Sequence, residues 1–277
     1  KVMLGRITRE AESLTINGSG IQGIQSVSAN YNSNATRVEN LGINQIQYYP
    51  QGPQEAILQV NTLLTHTLSP SAPVTSAEIM YNFTGDAPFS GVLEYVSKQF
   101  MFTKGYMETY SVACGIGQIP TISTSSSIYG QFGTGSLTVP VDNYPSQVNI
   151  PSYSSMELNL DTFNTNRVLN FDVSVATPRL PLYALGDDEP TGVIAGTPVE
   201  VNANFQIEVD DYEIKNMRLI PDETVFKNTS IVLKKNNSDI ELMRYSFDNM
   251  LLTSESFSAS NSSNASVNFN LRTFILR

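Results

Sequence analysis

Few residue types that carry chemistry occur in this chain. Its 277 residues include one histidine, His66, and one cysteine, Cys114. A zinc site needs several such ligands, and an α/β-type serine hydrolase needs a Gly-x-Ser-x-Gly turn that the sequence lacks. We interpret His66 as a surface or half-buried strand residue. Cys114 has small and apolar neighbours and none of the cations that activate a thiol, so we interpret it as a buried structural thiol.

One glycine motif imitates a cofactor site. Gly18, Gly20 and Gly23 match the pattern G-x-G-x-x-G. In a dinucleotide site this pattern follows a strand and opens a helix. Here alternating, strand-like sequence follows it. The motif therefore indicates a glycine-rich turn that enters a strand, and no cofactor is expected.

Two acidic clusters are the remaining candidates for a site. They are Asp187-Asp188-Glu189 and Asp210-Asp211. Neither cluster has the alternating acids of a calcium loop. We expect them to form solvated loops or to shape the lumen or the ring contacts of a pore, and we expect no metal. A carboxylate pair of a glycosidase could lie among the 26 acids, but the chain has no tryptophan to bind a sugar. The prediction is that the protein is not an enzyme.

The composition points to β-structure. Only 15% of the residues are charged, and Asn, Ser, Thr and Gln replace them, as in strands with uncharged polar faces. The net charge is −10. From residue 141 onward there are 10 Lys and Arg against 18 Asp and Glu, so −8 of that charge lies there. A protein that grips nucleic acid needs the opposite sign.

Alternation of apolar and polar residues predicts long strands. It is clearest around Val168–Val175, Val199–Val209 and Ala265–Phe274, and weaker around Ile24–Tyr31. Helical spacing of apolar residues predicts one short helix over Phe89–Phe100. A second helix is expected near residues 221–227. The fold class is therefore all-β, with one short helix in each of two units.

An internal repeat divides the chain. A Leu-Gly pair ends at Gly42 and again at Gly186, 144 positions later (186 − 42). A Pro-x-Glu triplet starts at Pro53 and again at Pro198, 145 positions later (198 − 53). Blocks near the end of each unit match in the same register, for example Phe102 with Phe247. The repeat predicts an internal duplication, with units at 1–135 and 154–277 and a Gly/Pro-rich bridge at 136–153.

Three stretches resemble the tail-tube proteins of tailed phages. They are Phe171–Gly186 with Pro198-Val-Glu behind it, Gly105–Pro120, and Leu252–Ser258 with the alternating strand that follows. Together they span most of both units. They are patterns of strands and turns, without a catalytic fingerprint.

The resemblance implies a fold and a role in the virion. Tube proteins are β-sandwich or barrel units whose sheets join around a ring, and stacked rings form the conduit for DNA. A chain with two units would form trimeric rings with pseudo-sixfold symmetry. Its partners would be further copies, the tape-measure protein, the terminator and the baseplate. DNA would pass without specific binding, and no membrane anchor is expected.

Location and contacts follow from the same resemblance. The protein would be assembled in the host cytoplasm and reside in the phage tail. Stacking needs loops that reach the next ring. The segments after Tyr31 and Pro178 are candidates, and their Leu-Gly pairs, Leu41-Gly42 and Leu185-Gly186, are candidate inter-ring residues.

Two other functions stay open. The chain could be another ring or decoration protein of a virion, such as a neck, tail-terminator or baseplate component. It could also be a sandwich that binds carbohydrate or a host surface, for which its 13 tyrosines could supply aromatic contacts.

Overall fold

The structure is a computed structural model, and it confirms the all-β class. It describes residues 12–32, 35–39, 46–50, 55–67, 80–82, 84–95, 98–135, 148–161, 163–208, 226–235, 239–260 and 263–275. Within these ranges the only helical residues are one turn at 80–82. All strand pairings are antiparallel, in keeping with the many short connections between consecutive strands.

Twenty-one strands are described. Those of the first half are β1 (Glu12–Ile16), β2 (Ser19–Ile21), β3 (Ile24–Asn32), β4 (Ala35–Glu39), β5 (Ile46–Pro50), β6 (Glu55–Leu63), β7 (His66–Thr67), β8 (Phe89–Tyr95), β9 (Lys98–Gly115), β10 (Thr121–Ile128) and β11 (Phe132–Thr134). Those of the second half are β12 (Val148–Asn149), β13 (Pro151–Leu160), β14 (Phe163–Thr165), β15 (Val168–Ala176), β16 (Arg179–Leu182), β17 (Gly192–Ala195), β18 (Val199–Glu208), β19 (Phe226–Lys235), β20 (Glu241–Ser260) and β21 (Ser263–Ile275).

One fifteen-stranded sheet runs through both halves. Its main path is β14-β13-β19-β20-β21-β18-β15-β9-β10-β6-β3, and β8, β1, β2 and β11 branch from it at β9. Three further pairs, β4-β5, β16-β17 and β7-β12, stand apart from this sheet. The two halves meet where β9 pairs with β15.

The alternation of buried and exposed residues along the strands creates the core. In β6 the residues from Glu55 to Leu63 alternate between exposed and buried, with Ala56, Leu58 and Val60 inside. β18 buries Val199, Val201 and every second residue after them in the same way. Side chains of successive strand residues point to opposite faces, so such a sequence has one dry face and one wet face.

The long strands β9 and β20 connect two layers. The first part of β9 pairs with β8, and its later part pairs with β10 and β15. Inward residues of β1 and β8, such as Leu14 and Phe89, join those of β6 and β10 in one hydrophobic cluster that continues through the second half. The group β2-β1-β8 therefore packs over the group β3-β6-β10.

The second half repeats the strand pairings of the first. Leu14 of β1 pairs with Ile21 of β2, and Leu158 of β13 pairs with Thr165 of β14. Each residue of the second pair lies 144 positions after its counterpart in the first pair (158 − 14, 165 − 21). In the front strands, the β3–β6 pairing recurs as β15–β18, the β6–β10 pairing as β18–β21 and the β9–β10 pairing as β20–β21. In the other layer, the β8–β9 pairing recurs as β19–β20 and the β1–β8 pairing as β13–β19. The β4–β5 hairpin recurs as the β16–β17 hairpin.

Irregular positions recur as well. The register shift between Ser125 and Ser126 in β10 has its counterpart 145 positions later, between Asn270 and Leu271 of β21. Left-handed residues also coincide. Lys104 has φ 53° and Asn249, 145 positions later (249 − 104), has φ 52°. Positive φ values are uncommon outside glycine, so their recurrence at equivalent positions indicates that the two halves share the same local backbone geometry.

The predicted helix over Phe89–Phe100 is wrong. Residues 89–95 form β8 and residues 98–100 begin β9, joined as a hairpin. β8 pairs with β1 on one side and β9 on the other, so tertiary pairing determines its conformation although its apolar spacing also fits a helix. Of the second predicted helix, residues 221–225 lie outside the described residues. Phe226 and Lys227 belong to strand β19, so the helix is wrong there too.

Candidate functional site: the polar face of the sheet

The outward face of the front strands carries mostly small polar side chains and is here called the polar face. It is formed by β3, β6, β10, the later part of β9, β15, β18, β21 and the later part of β20. Its uncharged polar members include Ser26, Ser28, Asn30, Gln59, Asn61, Thr109, Ser111, Thr121, Ser123, Ser125, Asn170, Ser174, Asn202, Asn204, Gln206, Ser254, Ser256, Ser258, Ser266, Asn268 and Asn270. Its apolar members are Ile57, Ala113, Ala176 and Phe274.

The sheet register aligns these side chains in rows across both halves. One row runs through paired residues of seven neighbouring strands: Ser26, Asn61, Ser123, Ser111, Ser174, Asn202 and Arg272. Directly paired residues point to the same side of a sheet. The row therefore crosses the boundary between the halves without interruption.

Neighbouring members of the polar face bond to each other. Asn61 Nδ2 donates to Ser26 Oγ over 2.9 Å, and Gln206 Nε2 donates to Ser266 Oγ over 3.2 Å. Asn270 donates to Ser254 in the same way. Polar groups that already satisfy one another offer little to a specific ligand, so the face is hydrated without being a binding cleft.

The charge on this face is mostly negative. Its charged members among the described residues are Glu55, Glu108, Asp172, Glu200, Glu208 and Arg272. Arg272 forms an ion pair with Glu200 at 2.8 Å. Hydrogen bonds from Asn202 and Arg272 lower the pKa of Glu200, so this carboxyl stays ionised at neutral pH. Burial raises the pKa of Asp172, and a hydrogen bond with Asn204 opposes that rise.

A pair of carboxylates lies at one border of the face. Ser127 Oγ lies 2.6 Å from Glu108 Oε1 and 3.2 Å from Glu55 Oε1. Burial, followed by the charge of Glu55, raises the pKa of the neighbouring Tyr129 to about 12. That phenol is protonated at neutral pH and cannot act as a base. We therefore interpret Glu55, Glu108 and Ser127 as a hydrogen-bonded group at the border of the sheet.

The hairpin β16–β17 projects from the sheet and contains the first acidic cluster. Asp187 and Asp188 are exposed near its tip, and Glu189 forms an ion pair with Lys104 of β9. The structure thus places these three acids on a projecting hairpin and not on the polar face. Asp210 and Asp211 lie outside the described residues.

The same hairpin also exposes apolar side chains. Leu185 is fully exposed, and Gly186 has the positive φ of 98° that the tight turn requires. Leu180, Leu182 and Ile194 are about half exposed. The corresponding Leu41 and Gly42 fall between β4 and β5, outside the described residues.

A buried arginine fixes the base of this hairpin. The side chain of Arg179 is fully buried. Its Nε donates to Met107 O at 2.8 Å, and its Nη2 donates to Gly85 O at 2.7 Å and Thr84 O at 3.2 Å. Asp86 lies 3.5 Å from its Nη1. Sequence reasoning missed this residue. Its only signal was an arginine between two prolines in Pro178-Arg-Leu-Pro181.

The other sequence motifs have structural roles. Gly18 and Gly23 have positive φ and lie in turns beside β2, with strands on both sides, so the interpretation as a glycine-rich turn is confirmed. Cys114 is buried, as expected, and burial raises the pKa of its thiol to about 11. The backbone of His66 lies in β7.

The described residues form neither a metal-binding cluster nor a membrane-spanning helix. Within the described ranges, no group of three or more His, Cys, Asp or Glu side chains is arranged to hold a metal ion. The same part of the chain contains no helix with the length and hydropathy needed to cross a membrane. Comparison with protein-family models and with curated proteins found no match to this sequence.

Proposed function

We propose that this chain is a non-enzymatic, self-assembling structural subunit of the tail-tube type, whose stacked rings form a DNA conduit in a phage tail. The observation that carries the proposal is the polar face, which runs unbroken across eight strands and both halves. A conduit needs such a wall, hydrated and without strong attraction for its cargo.

We also propose that the two halves arose by internal duplication. The repeated pairings support this, with offsets of 144 or 145 positions for every strand pair compared except those of β8, whose counterpart β19 lies 138 positions later (231 − 93). The register shifts and left-handed residues at equivalent positions support it as well. Strands that came together independently would not share such irregularities. Two equivalent units in one chain fit a trimeric ring with pseudo-sixfold symmetry.

The charge of the polar face suits the passage of DNA. Binding to phosphates requires Lys and Arg, and each neutralised phosphate adds to the salt-dependent affinity. The described part of the face has five carboxylates against Arg272, which is already paired with Glu200. DNA would therefore be repelled weakly and would slide.

The projecting hairpins support stacking between rings. The exposed side chain of Leu185 offers apolar area for burial against a neighbouring ring, and Asp187 and Asp188 would orient that contact. We expect Asp187→Lys combined with Asp188→Lys to hinder ring stacking without unfolding the protein, because both residues are exposed. Normal tube lengths in that variant, measured by electron microscopy, would remove these acids from the contact.

The conduit is tested by placing cations on the polar face. Ser174→Lys with Asn204→Lys adds two charges per chain to the face, whereas Ser246→Lys with Asn164→Lys adds the same charge elsewhere on the exposed surface. Assembled protein carrying the first pair should bind duplex DNA, with an affinity that falls steeply with salt. The second pair is the matched control. Equal DNA binding by both variants would contradict the assignment of this face to the lumen.

Assembly itself separates the proposal from its alternatives. Light scattering against protein concentration should show growth beyond one ring. A single ring that never stacks would instead favour a neck, terminator or baseplate component. A monomer that binds glycans would favour the carbohydrate-binding alternative.

A further inference from the structure

The junction between the two halves is a strand pairing with a well-defined register. Residues Thr109–Gly115 of β9 pair antiparallel with Asn170–Ala176 of β15. Backbone hydrogen bonds from Ile116 N to Leu169 O and from Thr177 N to Glu108 O continue the pairing at its two ends. The inward residues of both strands are almost completely buried: Tyr110, Val112, Cys114, Phe171, Val173 and Val175.

Both partners of this junction occur a second time in the chain. β3 occupies the place of β15 in the repeated topology, and the later part of β20 occupies the place of β9. Among the described strands, β3 pairs only with β6, and residues 252–260 of β20 pair only with β21. The two edges that would form a second junction therefore lie at opposite ends of one series of strands.

Side chains at these two edges are exposed where their counterparts are buried. Tyr31 of β3 is 45% exposed, against 3% for its counterpart Val175. Phe257 of β20 is 42% exposed, against 0% for its counterpart Val112. Removing these apolar groups from water would be favourable, as it is at the internal junction.

Neither edge is blocked by lysine or proline, and the register shifts near it lie between Ile24 and Ser26 of β3 and between Ser258 and Ser260 of β20. Exposed edge strands are normally blocked by lysine, proline or bulges. β3 reads IQSVSANYN and contains neither charge nor proline. Residues 254–260 of β20 contain one charge, Glu255. Edges of this kind are ready to accept another strand.

We propose that β3 of one copy of the chain pairs antiparallel with the later part of β20 of a second copy, in the register of the internal junction. Transferring that register by the offsets of 144 and 145 positions gives the partners across the contact. They are Val27 with Ala259, Ser28 with Ser258, Ala29 with Phe257, Asn30 with Ser256, and Tyr31 with Glu255.

A pocket lies open beside the β3 edge, at the position that corresponds to a filled space at the internal junction. It has a volume of about 430 Å³, and Tyr31 and Phe100 are among its lining residues. Phe100 is the counterpart of Tyr245, whose ring packs against Tyr110 at the internal junction. In the proposed register, Glu255 of the second copy takes the place of Tyr110. At the internal junction this space is filled by Tyr110, whereas the corresponding space beside β3 is open.

The contact joins different surfaces of identical chains. Such a head-to-tail interface builds a closed ring when its rotation closes and an open helix when it does not. It continues the polar face from one copy to the next, because Asn30 and Ser256 belong to that face. The inference rests on the self-assembly proposed above, but it requires neither stacking nor passage of DNA.

Disulfide cross-linking between variants that each carry one added cysteine tests the register. Asn30→Cys mixed with Ser256→Cys, and Ser28→Cys mixed with Ser258→Cys, are the matched pairs. Asn30→Cys with Ser258→Cys, and Ser28→Cys with Ser256→Cys, use the same four substitutions in mismatched register. Tags of different size on the two variants identify the mixed dimer on a non-reducing gel, and each variant alone controls for the native, buried Cys114.

We expect the matched pairs to cross-link about tenfold faster than the mismatched pairs. Disulfides close at Cα separations of about 4.4–6.8 Å, whereas diagonal partners lie about 7–8 Å apart. Protein that assembles but cross-links matched and mismatched pairs equally, or not at all, would overturn the junction and leave self-assembly intact. Protein that remains monomeric at every concentration would overturn both the junction and the proposed function.

A side-chain variant gives an independent measurement. Phe257→Ser should weaken association about thirtyfold, which corresponds to about 2 kcal/mol for the apolar area it exposes. Ile57→Ser is the matched control, because Ile57 is also 42% exposed but lies on the polar face. Equal association constants for the two variants would count against the contact.

Discussion

Two buried tyrosines link the halves of the molecule. Tyr110 of β9 and Tyr245 of β20 form a hydrogen bond between their hydroxyl groups, and the ring of Tyr81 packs edge-on against both. Tyr110 is 0% exposed and Tyr245 is 2% exposed. Tyr110→Phe would leave the hydroxyl of Tyr245 buried without this partner.

The magnitude of the effect follows from the desolvation of that hydroxyl. Leaving one buried partner unsatisfied costs about 1–3 kcal/mol, whereas removing both polar groups costs much less. Each single change, Tyr110→Phe or Tyr245→Phe, should therefore reduce the free energy of unfolding by about 2 kcal/mol. The double variant should lose only about 1 kcal/mol, less than either single variant, which corresponds to a coupling of about 3 kcal/mol between the sites.

Equilibrium urea unfolding, followed by far-ultraviolet circular dichroism at a concentration below assembly, measures these energies. Tyr183→Phe is the control, because Tyr183 is 37% exposed and its loss should change stability by less than about 0.5 kcal/mol. Additive effects of Tyr110→Phe and Tyr245→Phe, within about 0.5 kcal/mol, would refute the account of this contact between the halves.

Three further outcomes are expected. Arg179→Met should lower the free energy of unfolding in urea by about 3 kcal/mol, because it removes a buried donor to three carbonyl oxygens. Its control, Arg167→Met at an exposed ion pair, should lower it by less than about 1 kcal/mol, and equal losses would contradict this reasoning. Leu185→Ser should leave stability within about 0.5 kcal/mol yet raise the critical concentration for tube growth in light scattering, since Leu185 is fully exposed; unchanged growth would remove it from the stacking contact. The free energy of unfolding should fall above about pH 9. In the unfolded chain Cys114 and Tyr129 lose their protons near pH 9 and 10, whereas their folded pKa values are about 11 and 12, so rising pH favours the unfolded state. Urea midpoints that stay flat from about pH 8 to 11 would contradict this.

Much of the fold could be predicted from the sequence. The alternation around Val168–Val175 and Val199–Val209 coincides with β15 and β18, because a strand with one dry face needs that period. The offsets of 144 and 145 positions, read from the Leu-Gly and Pro-x-Glu repeats, recur in the strand pairings, except that β19 follows its counterpart β8 by 138 positions. Local patterns reveal such features because each strand carries its own signal.

The features that sequence reasoning missed depend on distant contacts. Residues 89–95 have apolar spacing compatible with a helix, and only their pairing with β1 and β9 makes them a strand. Arg179 is buried because β16 crosses the carbonyl groups of residues 84, 85 and 107. The alignment of Ser26, Asn61 and Ser123 in one row needs the register of three strands, which no single segment encodes.

Electron microscopy of the purified protein at increasing concentration tests the central claim most directly. We expect hollow tubes of stacked rings, each ring built from three chains with six similar lobes and lined by the polar face. A homogeneous monomer or small closed species at all concentrations, with no hollow ring, would contradict the assignment of this chain as a tube subunit.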